Sequence, residues 1–140
     1  MTPFLKSLIN RPCFKVGVKS PISNVIEMLS QYNIGAVVVV SDENAVEGII
    51  SERDIVRHLA KSGSIDCLIA SDIMTKNVVT VTPSVSSSDL MKTMTENKFR
   101  HLPIIAKGNL VGVVSIGDVV KRMLEKYEAE AEQMRSFINA

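Results

Sequence analysis

An eleven-residue pattern that occurs twice constrains this chain more than any other feature. It reads Val46-Glu47-Gly48-Ile49-Ile50-Ser51-Glu52-Arg53-Asp54-Ile55-Val56, and again Leu110-Val111-Gly112-Val113-Val114-Ser115-Ile116-Gly117-Asp118-Val119-Val120. Gly48 and Gly112, Ser51 and Ser115, and Asp54 and Asp118 all stand 64 positions apart. Self-similarity at a fixed period marks a duplicated supersecondary unit. In each copy the apolar and β-branched positions predict a short buried strand. The serine then stands where a helix N-cap stands, with the aspartate in the first turn, so the strand should run directly into a helix.

The flanking segments repeat in the same order. Thr2-Pro3 opens a short helix carrying Phe4, Leu5, Leu8 and Ile9. Residues 13–18 predict a strand, and Ser20-Pro21 opens a helix with Ile22, Val25, Ile26 and Leu29 on one face. The apolar run 34–40 predicts a strand buried on both sides. It is joined through the turn 41–44 to the strand 46–50, after which a helix carries Ile55, Val56 and Leu59 inward and ends near Ser62-Gly63. The second round predicts a linking helix over 65–74 and a strand over 77–81. A helix then starts at Thr82-Pro83-Ser84 and bears Val85, Leu90, Met91 and Met94. Strands 99–105 and 110–114 flank the turn Lys107-Gly108-Asn109, which is shorter than its first-half counterpart, so the hairpin registers should differ by about one residue. The last helix starts at Ser115 or Ile116 and presents Val119, Val120, Met123, Leu124, Tyr127, Ala131 and Met134 at helical spacing. It outruns its counterpart, is charged on its outer face from Glu125 onward, and should project from the globule. Each half is small for an independent core, so the two should pack together about a pseudo-twofold axis. The fold class is therefore α+β: two tandem βαββα repeats with a long C-terminal helix. The expected bounds are 8–62 and 75–125 for the repeats, 63–74 for the linker and 126–140 for the helical extension.

Charge and composition exclude several function classes. Sixteen basic residues face 15 acidic ones without a block of either sign, so no basic stripe for nucleic acid or a membrane surface is present. The few aromatics, with no tryptophan, argue against a stacking platform for single strands. The longest apolar run, Ile34 to Val40, is too short to span a bilayer, and the N-terminus lacks a signal-peptide pattern. Cys13 and Cys67 fit no metal spacing and read as reduced thiols of a cytoplasmic protein.

The repeated Ser-x-x-Asp has two readings. It is a capping box, in which serine accepts from a first-turn amide and the acid reaches back. It also suits a nucleotide: free amides at a helix N-terminus attract phosphate, the aspartate can accept from both hydroxyls of a ribose, and the adjacent apolar strand can wall a purine. His101 and His58 form neither a triad nor a metal cage, His58 reads as a surface residue, and the methionines Met74, Met91 and Met94 read as core filler. Paired catalytic carboxylates, a nucleophile elbow, a P-loop lysine and metal-ligand spacing are all missing from the sequence, which points away from an enzyme.

As a set, the two repeated stretches, Asp72-Ile73-Met74-Thr75 before a strand, Val81-Thr82-Pro83 before a helix and Phe99-Arg100-His101-Leu102-Pro103-Ile104-Ile105 resemble a tandem cystathionine-β-synthase (CBS) domain pair, or Bateman module, over roughly residues 10–126. The resemblance implies a cleft between the repeats with up to two pseudo-symmetric sites for AMP, ADP, ATP, NAD(H) or S-adenosylmethionine. By position, Ser115 and Asp118 would hold ribose or phosphate at one site, with Arg100, His101, Leu102 and Pro103 near base or phosphate and the segment Thr75 to Val79, including Val78, near adenine. Ser51 and Asp54 would serve the other site with Gly35, Ala36 and the Lys15-Val16 region. Gly35-Ala36 offers no cation where Arg100-His101 offers two; Arg53 is the residue that could supply charge there, or it is a solvated first-turn side chain. The second-half site is therefore the better-formed one. The resemblance further implies a regulatory homodimer without catalytic activity that senses energy or redox state and acts in trans on a protein partner. The alternative is a structural or interaction homodimer whose ligand sites stay empty. A dimer contact through Met123, Tyr127 and Met134 is compatible with either.

Overall fold

The structure, a computed structural model, describes residues 2–139. Its first half is built on β2 (Ala36–Val40), which runs parallel to β1 (Lys15–Gly17) and antiparallel to β3 (Val46–Ser51). Every residue of β2 is buried. Successive side chains of a strand point to opposite faces, and here both faces meet protein. Val37 and Val39 join Val16, Ile50, Ile55 and the inward stripe of α2 (Ile22–Gln31), namely Ile22, Val25 and Leu29. Val38 and Val40 pack instead against Leu110 of the second half. Lys15 Nζ donates to Asn44 Oδ1 at 2.7 Å, and Asn44 Nδ2 to the Leu110 carbonyl at 3.4 Å, so polar contacts rim the same junction.

The second half holds the antiparallel pair β4 (His101–Ala106) and β5 (Asn109–Ser115). Ala36 faces Ser51 in the first hairpin and His101 faces Ser115 in the second, so the first hairpin is one residue longer, as its turn predicts. The strand expected over 77–81 contracts to one parallel bridge, with Val81 N donating to the Pro103 carbonyl at 3.0 Å and Ile105 N to the Val81 carbonyl at 2.8 Å. Asn77 takes a left-handed φ of 56°, which ends any extended run before it can pair.

Two further expectations are corrected. The linker helix shrinks to one turn, α4 (Ala70–Ile73), because Cys67 adopts a φ of 65° and the preceding backbone bonds elsewhere: Ile22 N donates to the Leu68 carbonyl and Ala70 N to the Ser20 carbonyl. The helix α5 (Ser87–Asn97) starts past Thr82-Pro83-Ser84 because Ser86 is its cap, accepting from Asp89 N at 3.1 Å. Of the three residues expected to point inward from α3 (Glu52–Ser62), only Ile55 is buried; Val56 is 63% and Leu59 39% exposed, since one side alone of this helix meets the core. The long helix α6 (Ile116–Asn139) is anchored through Val119 and is exposed from Leu124 onward.

The two small helices are exchanged. α1 (Pro3–Ile9), capped by Thr2 Oγ1 accepting from Leu5 N at 3.3 Å, places Leu5 and Leu8 in the core of the second half with Leu90, Met94, Leu102, Ile104, Val114 and Val119. α4 places Ala70 in the core of the first. Behind α4 the chain presses on β3, and a Cβ on Gly48 would lie 2.7 Å from Met74 Sδ and 2.8 Å from the Thr75 carbonyl oxygen. At Gly112 the nearest atom is 3.5 Å away. Gly48→Ala is therefore expected to destabilise the protein by about 1–3 kcal/mol, whereas Gly112→Ala stays within about 1 kcal/mol. Urea denaturation of the two variants compares them directly, and equal losses would contradict the packing described.

Candidate functional site

Both repeated Ser-x-x-Asp stretches fold as capping boxes. Ser51 N donates to Asp54 Oδ2 at 2.8 Å and Asp54 N to Ser51 Oγ at 3.3 Å; Ser115 N donates to Asp118 Oδ2 at 2.8 Å and Asp118 N to Ser115 Oγ at 3.1 Å. The turns are held by one more shared bond, Glu52 N to the Gly35 carbonyl and Ile116 N to the Arg100 carbonyl. The capping role and a binding role are not exclusive, because each box engages mainly one carboxylate oxygen. What meets the other oxygen differs. Thr75 Oγ1 donates to Asp54 Oδ1 at 3.3 Å. At the position 64 residues earlier stands Arg11, whose Nη1 donates to Asp118 Oδ1 at 2.9 Å and whose Nη2 donates to Asp118 Oδ2 at 2.6 Å and to the Val113 carbonyl at 2.8 Å.

Asp118 opens onto a cavity of about 380 Å³ between the halves. The second half contributes His101, Val113, Ser115 and Asp118 to its lining; the first contributes Asn33, Ile34, Gly35 and Ala36, and the segment before β1 adds Arg11, Pro12, Cys13 and Phe14. The Phe14 ring stacks on Tyr32 with centroids 4.3 Å apart. Gly35 allows the approach of the His101 imidazole, whose Cε1 and Nε2 lie 3.4 Å from where a Cβ would be. The cavity is thus mixed in origin: Gly35 and Ala36, assigned by position to the Asp54 site, stand beside Asp118 instead.

The remaining expected residues are dispersed. Ser51, Asp54 and Thr75 form their own cluster, and Arg53 beside it is exposed. Arg100 lines a separate shallow groove of about 640 Å³ on α6 with Val120, Lys121, Leu124 and Glu128. Val16 and Leu102 belong to the two cores, Val79 packs against the second core, Pro103 is buried in the sheet, and Val78 is partly buried outside the cavity lining. Arg11, Phe14 and Asn33 escaped the sequence reading, which gave Arg11 and Asn33 no role and placed Phe14 in a strand over 13–18. The spacing of 64 from Thr75 was the available signal for Arg11. No cluster of metal-ligating side chains exists among the described residues, and none of their helices is long and apolar enough to cross a membrane.

The charges in the cavity are tuned by their surroundings. Burial pushes the Asp118 carboxyl up, but hydrogen bonds from Arg11 and Ser115 together with the guanidinium charge outweigh it and hold the group below its ordinary range. Burial pushes His101 down more than Asp118 and Glu52 raise it, and Arg100 adds to the lowering, so the imidazole is neutral at pH 7. Burial raises the Cys13 thiol against the opposing pull of Lys15 and Arg11, which keeps it protonated. The unfolded chain binds a proton at His101 more readily than the folded one. Its contribution is therefore complete above the ordinary value of 6.5 and is lost as pH falls through the lower folded value. His101→Gln is expected to flatten the decline of the urea midpoint below about pH 6.5; a slope equal to that of the wild type would contradict this.

Known proteins share the fold. The CBS domain family matches residues 5–61 and 70–125. The mitochondrial CBS domain-containing protein CBSX3 of Arabidopsis thaliana is 35% identical over 122 residues, covering 84% of this chain and 59% of that protein, so the chain spans under two thirds of that relative's length. Among solved structures, the CBS-domain-containing protein ATU1752 from Agrobacterium tumefaciens superposes with a TM-score of 0.77 at 39% identity, covering 84% of this chain and 88% of the other. CBSX2 in complex with AMP superposes with a TM-score of 0.70 at 25% identity, covering 82% and 90%. Two matched repeats, joined face to face through β2 and β5 with an Asp-bearing helix start in each, make this chain a member of the CBS domain family, carrying a tandem pair.

Proposed function

We propose that this chain is a regulatory module that binds an adenine nucleotide (AMP, ADP, ATP or NADH) and has no catalytic activity of its own. The observation that carries this reading is the cavity between the halves, where one carboxylate, a helix N-terminus, an apolar wall and a single guanidinium converge. Asp118 suits a ribose diol, the first-turn amides of α6 suit phosphate, and Phe14 and Ile34 suit the faces of a purine. The relative CBSX2, which is bound to AMP, supports the same class of ligand. Binding would be reported through differential affinity for two shapes of the module. Among the described residues, the cavity lining offers no nucleophile paired with a base: the Cys13 thiol is protonated, and His101 faces the Gly35 backbone.

A second reading, an interaction homodimer with empty sites, is favoured by the surface of α6. Val120, Leu124, Tyr127 and Met134 are 42–63% exposed along one stripe, and Val56 and Leu59 stand uncovered on the equivalent helix α3. The two readings combine if a second copy covers these residues while nucleotide occupies the cavity.

Isothermal calorimetry and thermal shift with AMP, ADP, ATP and NADH separate them. Millimolar ligand is expected to raise the melting temperature by mass action, and Asp118→Ala to weaken binding at least about tenfold at a cost in stability of about 1 kcal/mol, the size of a lost cap. A protein that shifts with none of the four compounds is an interaction module only. For the dimer, Leu124→Glu is expected to move the protein from dimer to monomer in analytical ultracentrifugation without lowering its nucleotide affinity; an unchanged sedimentation coefficient would remove this stripe from the interface.

A further inference from the structure

Arg11 occupies the place that a ligand's diol would take on Asp118. A vicinal diol bound at Asp118 needs acceptor positions on both carboxylate oxygens, and both are already taken by the guanidinium. Oδ2 also receives Ser115 N, which leaves the carboxylate little free capacity while the guanidinium is in place. The pair is not locked by burial: the Arg11 side chain is 44% exposed and that of Asp118 19%, so the guanidinium can swing on its stem. The segment carrying it, 10–14, lies between α1 and β1 and forms one wall of the same cavity.

Among the described residues of the cavity lining, Arg11 is also the only one that carries a positive charge. His101 is kept neutral, and Arg100 points to the groove along α6. A planar guanidinium pairs with phosphate in the same bidentate geometry that it uses for a carboxylate. A nucleotide therefore offers Arg11 a replacement for what it takes away, and a nucleoside does not. The first-half site has no such device, since Thr75 gives Asp54 one neutral hydrogen bond of 3.3 Å.

We propose that Arg11 is a phosphate-specific latch: it closes the Asp118 carboxylate in the empty site and releases it to the ribose only when a ligand phosphate takes the guanidinium. This rests on the adenine-nucleotide reading and makes that site selective for phosphorylated ligands. Release also draws on the segment between α1 and β1, so occupancy of the cavity is felt by α1, whose Leu5 and Leu8 sit in the second core.

The test compares adenosine with AMP by calorimetry on the full chain in an Asp54→Asn background, which confines the reading to the Asp118 site. With Arg11 present, AMP is expected to bind at least about tenfold tighter than adenosine. Arg11→Met should weaken AMP by about the same factor while leaving adenosine unchanged or tighter, so that the ratio collapses toward one. Arg11→Lys, which keeps the charge without the fork, should retain part of the preference for AMP. A carbon-detected NMR titration of the Asp118 carboxyl is expected to move upward in Arg11→Met, which verifies the clamp without any ligand. If Arg11→Met weakens both compounds equally, Arg11 merely positions Asp118 and the latch is wrong. If the ratio does not change, Arg11 plays no part in recognition and the latch is again wrong, while the nucleotide reading stands. If the protein with Arg11 intact binds neither compound, the nucleotide reading itself fails and the latch falls with it.

Discussion

Burial of β2 on both faces is the constraint from which the rest of the structure follows. Five consecutive residues, Ala36 to Val40, are removed from water, although a strand in a small sheet that is parallel on one side and antiparallel on the other could leave one face wet. The odd valines are covered by the first half's own helix, and the even ones by Leu110 and its neighbours in the second half. Each buried valine contributes about 1.5–3 kcal/mol, so separating the halves would expose Val38 and Val40 at a cost comparable to a good part of a domain's net stability. That mutual dependence brings the N-terminal ends of β2 and β4 within contact of each other and creates the cavity there.

Duplication supplied two copies of one device, and the copies have diverged where chemistry is concerned. The capping bonds of Ser51 with Asp54 and of Ser115 with Asp118 are nearly superimposable in their distances. Their surroundings are not. The residue reaching the outer oxygen is a threonine in one case and an arginine in the other. At the hairpin mouths, Gly35 in one half gives room to His101 in the other. The halves are complementary rather than equivalent, and the cavity draws on both because neither holds a complete set of groups.

The parts of this architecture legible in the sequence are those fixed by local physics. The serine caps, the all-apolar run of β2 and the turn length that offsets the hairpins by one residue can be read without knowing what packs where. Residues 65–81 could not be read in the same way. Their apolar pattern suits a helix and a strand, but Cys67 and Asn77 adopt left-handed conformations, and the backbone between them is recruited by Ser20, Ile22 and Ile49. Tertiary partners overrode propensity there. The candidate site was half legible for the same reason. Asp118, Ser115 and His101 sit on predictable element ends. Arg11 and Phe14 lie in an irregular stretch, and their part in the cavity comes from a chain crossing more than 100 residues long.

The exchange of α1 has a consequence for how this protein is made. The helix leaves the ribosome well before its partners Leu102, Ile104, Val114 and Val119, which follow it by more than 90 residues. At about 5–20 residues per second, Leu5 and Leu8 have no core to join for on the order of ten seconds, while the first half can already close its sheet and receive α4. A segment synthesised before its partners is thus seated only after they appear. In the finished molecule, tension applied at α1 is borne first by the core of the second half, in which Leu5 and Leu8 are seated.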